Sequence, residues 1–236
     1  MINKDRLKNI CADIGVDLDA QALERFELFA SMLVEKNKVL NLTAITDPEG
    51  IAVKHFADSL TALRMIDLQP GTKVIDVGTG GGFPGIPLLI ARPEIKLTML
   101  DSTGKKLAFV SQSVEELGLS ANIVHARAEE AGQGELRESF DFVVSRAVAA
   151  MNVLCEYCLP FVKVGGTFCA MKGAKGAEEL DCAGKAIAIL GGETQKAETL
   201  ILPDGGERVL INVKKISHTA TKYPRPSAQI SKKPLV

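Results

Sequence analysis

The stretch DVGTGGGFPGIPL, residues 76–88, packs five glycines and two prolines into thirteen positions. Glycine populates positive φ freely, and its missing side chain lets a ligand lie against the backbone. A tight turn by itself needs one or two such residues. Gly78, Gly80, Gly81, Gly82 and Gly85 together ask for a ligand that comes very close. The run KVIDVG reads as a short buried strand, and GIPLLIARP as a short helix. A glycine-rich loop between a first strand and its helix belongs to an open α/β sheet, where ligands bind outside the carboxyl ends of the strands.

The chain past residue 73 keeps that alternation. KLTMLD, NIVHAR, FDFVVSRA and GTFCAMKG read as strands; GKKLAFVSQSVEELG, MNVLCEYCLPFV and KGAEELDCAGKAIAILGG read as helices. ETQKAETLIL and RVLINVKKI form a hairpin pattern around PDGGE. The expected domain, 69–217, is α/β, with a mostly parallel sheet and an antiparallel closing strand. Residues 1–68 read as a helical extension. Leu23, Phe26, Phe29, Leu33 and Leu40 follow helical spacing after Asp19, a candidate N-cap. Ile51, Phe56, Leu60 and Leu63 do the same after a cap at Thr46 or Asp47, with Pro48 in the first turn. The last stretch, 218–236, has three prolines and little periodicity, so an extended tail is expected.

Charge and cysteine usage narrow the function classes. The net charge of −1 gives no hint of a nucleic-acid partner, but its distribution does. After Glu207 there is no acidic residue, whereas Arg208, Lys214, Lys215, Lys222, Arg225, Lys232 and Lys233 follow. A cationic end on a near-neutral chain suits an anion such as RNA, or a solubilising tail. No apolar run has the length of a membrane span, and no apolar segment of a secretion signal follows the first residues, so a cytoplasmic protein is expected. Five cysteines without such a signal argue for free thiols. Cys155 and Cys158 form a CxxC, but no second CxxC or nearby histidine completes a metal site; two half-buried thiols one helical turn apart are expected, and no metal. Nothing in the sequence fixes an oligomeric state, and a monomer is the working expectation.

Two ligands suit the glycine loop: the pyrophosphate of a dinucleotide, or the ribose and methionine of S-adenosylmethionine. Gly80, Gly82 and Gly85 satisfy GxGxxG, and Asp101 ends the next strand about 20 residues on, where a ribose-binding acid belongs. Three features favour S-adenosylmethionine. Asp76 opens a DxGxGxG pattern, Pro84 and Pro87 stand where a dinucleotide-binding helix would start, and the hairpin adds an antiparallel strand. The expectation is thus a Rossmann-like methyltransferase fold. Asp101 then accepts hydrogen bonds from the ribose hydroxyls, with Ser102 beside it. The backbone at Gly78 and Gly80 packs on the ribose and methionine. Asp76 fixes the loop or, through water, the cofactor's ammonium. Ala128 and Glu129 of HARAEE follow the third strand, where adenine lies.

Methyl transfer from a sulfonium is an in-line displacement, so the acceptor decides which other groups are needed. Amino-group methylation of adenine or cytosine commonly uses (N/D)PP(Y/F) after the fourth strand; here SRAVA stands there. Methylation at cytosine C5 needs a thiolate, usually in Pro-Cys, and the chain has no Pro-Cys. Guanine N7 carries its own lone pair and no proton, and needs neither device; phenols and carboxylates also need little help.

NLTAITD, KHFADSL, VIDVGTGGGFPGIPLLIARP, LDSTGKKLAFV, VHARAEE, VVSRAVA, AMKG, RVLINVKK and YPR…KKPL occur in this order over about 37–236. Together they closely resemble the bacterial glucose-inhibited division protein B family, the 16S ribosomal RNA guanine-N7 methyltransferases. The resemblance implies methylation of one guanine N7 in the decoding region, with 16S ribosomal RNA or the small ribosomal subunit as partner. It implies cofactor contacts from Gly78, Phe83, Ala128, Glu129 and Arg146. It also implies that Asn41, His55, Arg127, Arg146 and Arg208 line the active cleft, the arginines holding RNA phosphate or the guanine O6 edge. Read by themselves, Asn41 also suits the C-cap of the second helix and His55 a helix face beside Phe56. Two positions depart from the family tail, Ala228 and Ile230, where the family has Gly and Pro; Lys54 keeps the cation before the histidine. Two other readings remain: a small-molecule methyltransferase, and an RNA-binding assembly factor with a degenerate cofactor pocket.

Overall fold

The computed structural model describes residues 1–236. It begins with helices α1 (Lys4–Asp13) and α2 (Ala20–Leu40). Asp19 caps α2, accepting the Ala22 amide at 2.7 Å. A continuous helical segment over 48–64 follows, and Asp47 caps it through the Gly50 amide at 2.7 Å. The sequence reads as one regular helix there. The segment instead changes pitch: α3 (Pro48–Gly50), a π-helix (Ile51–Ala57), α4 (Asp58–Leu60) and a 3₁₀ turn (Thr61–Arg64). Widened turns of this kind concentrate at functional sites.

The sheet domain then runs β1 (Lys73–Val77), α5 (Gly85–Ala91), β2 (Lys96–Asp101), α6 (Gly104–Glu116), β3 (Asn122–His125), α7 (Ala128–Ala131) and β4 (Phe140–Arg146). It continues with α8 (Met151–Cys158), β5 (Val162–Gly173), α9 (Gly176–Asp181), α10 (Gly184–Ile189), β6 (Gly192–Ile201) and β7 (Glu207–Lys215). The expected helix over 175–192 is two short ones, broken at Cys182 and Ala183. The seven strands lie in the order β3-β2-β1-β4-β5-β7-β6. β1 to β5 pair in parallel, and β7 is antiparallel to both its neighbours. The strand order reverses at β1, which pairs with β2 on one side and β4 on the other, so a crevice opens beyond their carboxyl ends.

Each face of the sheet is covered by its own apolar cluster. The larger one joins the N-terminal helices to β1, β2, α5 and α6. Phe29 of α2 ties them to the glycine loop: its ring lies 5.7 Å from Phe56, 5.4 Å from Phe83 and 6.2 Å from Phe109. The smaller cluster holds α8 and α10 against the other face. No helix is long and apolar enough to cross a membrane.

The extended tail expected over 218–236 is not what forms. The segment docks on the sheet domain and ends in a short helix, α11 (Ser227–Lys232), with Ile230 and Tyr223 buried. Its backbone carbonyls are satisfied by side chains of distant residues. Arg137 donates to the carbonyls of Thr219 and Tyr223, and Gln133 to those of Thr221 and Pro224. Arg225 forms a two-point pair with Glu156 of α8, at 2.8 and 2.6 Å, and Glu156 is fully buried.

Candidate active site

The glycine loop is held from below by one carboxylate. Asp76 ends inside β1 with no exposed surface, and its Oδ2 accepts from Thr79 Oγ1 at 2.7 Å and from the Gly85 amide at 2.9 Å. Burial pushes its carboxyl up to about 6. Between those anchors Gly78, Gly80 and Gly82 have φ of +77°, +56° and +96°. At Gly78 a Cβ would also lie 2.5 Å from the Val148 side chain, which closes over the loop. Asp101, at the end of β2, faces the loop. Its Oδ2 accepts from the Gly80 amide at 2.9 Å and its Oδ1 from the Thr103 amide at 2.8 Å. A carboxylate has about four lone-pair positions, so Asp101 keeps acceptor capacity toward the cavity beside it.

That cavity has a volume of about 520 Å³, the size of a small-molecule cofactor site. Gly78, Gly80, Phe83, Asp101, Ser102, Ala128, Glu129 and Arg146 line it, as do His55 and Arg127. Three expected residues do not. Asp76 lies beneath the loop, which is the loop-fixing one of its two expected roles. Asn41 is exposed and forms the left-handed C-cap of α2, with φ of 46°. Arg208 stands outside the lining and connects to it through another side chain, Asp58.

Another part of the lining is aromatic and cationic. The His55 ring stacks on Phe83 at 4.6 Å, and the Arg146 guanidinium lies 5.1 Å from the same ring. His55 Nε2 shares a 2.7 Å hydrogen bond with Thr43 Oγ1, while its Nδ1 has no partner. Burial, aided by the charge of Arg146, lowers the imidazole to about 4, so it is neutral at pH 7. Arg146 Nη1 donates to the carbonyls of Lys54 and His55, at 3.2 and 3.4 Å, and to Asp58 Oδ2 at 3.0 Å. The π-helix thus supplies two of its carbonyls to that guanidinium. Arg146 Nε and Nη2 make no bond within the protein, and the residue lines the cavity.

Sequence reasoning missed several lining residues, among them Lys106, Tyr157 and Val148. It also missed Asp58, although an acid inside the apolar run HFADSL is a signal of its own. Arg127 pairs with Glu129 at 2.6 Å and donates to Ser227 Oγ of the tail at 3.1 Å. Tyr157 OH reaches the same Ser227 at 3.1 Å, so the tail braces this side of the cavity. Cys155 and Cys158 are fully buried on α8, and burial pushes the Cys155 thiol up to about 12. Such thiols are inert packing groups.

Residues 22–207 match the GidB family, described as rRNA small subunit methyltransferase G. The chain belongs to the GidB family. Ribosomal RNA small subunit methyltransferase G of Alkaliphilus metalliredigens (strain QYMF) is 45% identical over 238 residues, covering 100% of both chains. The protein of the same name from Geobacillus thermodenitrificans (strain NG80-2) is 48% identical over 224 residues, 94% of each chain. Among solved structures, TrmN from Thermus thermophilus superposes with a TM-score of 0.54 at 17% identity, over 70% of this chain and 53% of that one. A mutant of the 16S rRNA (adenine(1408)-N(1))-methyltransferase from Catenulisporales acidiphilia gives 0.53 at 13% identity, over 68% and 95%. These likenesses show the fold, a Rossmann-like methyltransferase sheet with an antiparallel closing strand. This GidB chain is a methyltransferase.

Proposed function

We propose that this protein moves a methyl group from S-adenosylmethionine to the N7 of one guanine in the decoding region of 16S ribosomal RNA. When bound, S-adenosylmethionine supplies an electrophilic methyl group on a sulfonium. The observation that carries the reading is the pairing of two walls across one cavity. One wall is a glycine backbone and an aspartate with spare acceptor capacity; the other is a neutral histidine, an aromatic ring and a guanidinium with spare donors.

The first wall suits an adenosyl group. Asp101, with Ser102 beside it, accepts from the ribose hydroxyls; Gly78 and Gly80 give close backbone approach; Ala128 and Glu129 flank the adenine. Arg146 and Phe83, between the two walls, would hold the cofactor's carboxylate, since Nε and Nη2 of Arg146 make no bond within the protein. Asp76 keeps the loop in shape. The second wall suits guanine. N7 has a free lone pair, so no general base is needed, and the base becomes cationic as the bond forms. His55, held neutral, adds no positive charge at that point. Arg127 and Arg208 bind phosphate, with Asn41 at the outer edge of the site. The segment 1–68 brings His55 to the acceptor wall, 69–217 supplies the cofactor wall together with Phe83 and Arg146, and the tail 218–236 is a cationic flank. The protein works in the cytoplasm, on the small ribosomal subunit or its RNA.

Calorimetry and a salt series test this reading. Titration with S-adenosylmethionine gives one saturable site, and nicotinamide dinucleotide gives none. Methylation of 16S ribosomal RNA falls steeply as salt rises, because phosphate contacts release counterions. Absence of S-adenosylmethionine binding favours an assembly factor with a degenerate pocket. Salt-insensitive methylation of a small neutral acceptor favours a small-molecule enzyme.

A further inference from the structure

Asp58 holds two arginines that arrive from strands on either side of β5, at the same end of the sheet: Arg146 is in register with Met171 and Arg208 with Gly173. It opens α4 directly after the π-helix, and its side chain is only 5% exposed. Its Oδ2 accepts from Arg146 Nη1 at 3.0 Å, and its Oδ1 accepts from Arg208 Nε at 2.8 Å. Arg146 ends β4 and lines the cavity; Arg208 lies near the start of β7 and stands outside the lining. One carboxylate is therefore clamped between a guanidinium inside the cavity and another beyond its wall.

The remaining bonds of both arginines say which edge each presents. Arg146 spends Nη1 on Asp58 and on the carbonyls of Lys54 and His55, and its Nε and Nη2 make no bond within the protein. Arg208 spends Nε on Asp58 and Nη1 on the Glu207 carbonyl, and its Nη2 makes none. Two cations on one carboxylate leave a net positive group with unspent donors on each side. A buried charge cluster of this kind is costly compared with apolar packing. Its use must lie in geometry: one carboxylate sets both guanidinium planes.

We propose that Asp58 is the positioning residue of the site, orienting Arg146 toward the cofactor and Arg208 toward the RNA backbone so that both partners are located from one anchor. The proposal rests on the ribosomal RNA methyltransferase reading above. Alignment is the main task of this catalyst, and misplacement by about 1 Å can cost about a hundredfold in rate. Without the Asp58 charge both arginines remain cationic but lose their common reference. RNA then still binds, since a negative charge has been removed, while the acceptor is presented out of line.

The test is D58N, R208Q and the double variant, assayed for RNA Kd, for kcat on 16S ribosomal RNA per folded protein, and for melting temperature. The expected result is an RNA Kd for D58N that is unchanged or tighter, with kcat lower by about tenfold or more. R208Q should cost kcat less in the D58N background than in the wild type, because the two act as one unit. Wild-type kcat in D58N overturns the proposal. So does a D58N defect to which R208Q adds its full wild-type cost. A purely structural role would lower the melting temperature and leave kcat per folded protein intact, which also overturns it. Should D58N not fold, R208K carries the test, since it keeps the charge and loses the fork: lowered kcat with unchanged RNA Kd supports the proposal, and wild-type kcat defeats it. Wild-type protein in the same assay separates this test from its premise, because failure of the wild type to form 7-methylguanosine removes the premise itself.

Discussion

His55 is a buried, neutral histidine in the wall of the cavity. Its burial and the neighbouring Arg146 hold it at about 4, against about 6.5 in an unfolded chain. Between those values the unfolded state binds more protons. The contribution of His55 to stability is therefore whole above about pH 6.5 and is lost as pH falls toward 4. Asp76 has the opposite sign. Its carboxyl is raised to about 6 by burial, so its contribution is whole below about pH 4 and is lost as pH rises through about 6. The two oppose each other in one window, so a global melting curve blurs them. The ring protons of His55, followed by NMR, should titrate with a midpoint near 4; a midpoint at the ordinary value contradicts a neutral buried ring. Asp101 gives a second residue-level outcome. Asp101→Ala should weaken S-adenosylmethionine binding by about 1–3 kcal/mol, the scale of hydrogen bonds to a charged group. Calorimetry checks it, and unaltered affinity removes Asp101 from the ribose site. Asp101 is legible from its spacing after the glycine loop. Asp58 is not, because its partners Arg146 and Arg208 are 88 and 150 residues away in sequence.

At the level of elements, the strand–loop–helix of the glycine loop and the closing hairpin can be read from local pattern alone. The short β-branched, apolar run in RVLINVKKI and the turn residues of PDGGE are local signals, and β7 pairs with β5 and β6 accordingly. The π-helix is invisible in the sequence, since a widened turn keeps the apolar spacing of an ordinary helix over so short a stretch. The docked tail escapes local pattern for a related reason. Tyr223 and Ile230 are single anchors with no period between them, and what secures the segment is pairing with Glu156, Gln133 and Arg137. Arg225→Ala tests how firmly. It leaves the fully buried Glu156 carboxylate with only the backbone amide of residue 225 as a donor and no countercharge, a loss of about 3 kcal/mol, the lower end of the usual scale for a broken buried pair. Denaturant unfolding reads this directly, and a loss below about 1 kcal/mol, the scale of surface pairs, means the tail is only loosely laid on. Because Ser227 bonds both Arg127 and Tyr157, the same variant should also weaken cofactor binding.

Across the whole molecule, the cavity is lined by the sheet domain and by His55 of the helical extension, and Phe29 packs against both parts. The glycine loop and Asp101 belong to the sheet; His55 and Asp58 arrive on the helical segment 48–64, packed through Phe56 and Phe29 against Phe83. The central claim is the chemistry performed in that cavity. Ribosomal RNA from cells lacking this protein, incubated with it and methyl-labelled S-adenosylmethionine, then digested to nucleosides, tests that claim most directly. The expected label is in 7-methylguanosine from 16S RNA alone, with none when the RNA comes from cells that already contain the protein. Label in another nucleoside, or equal labelling of both RNA preparations, contradicts it.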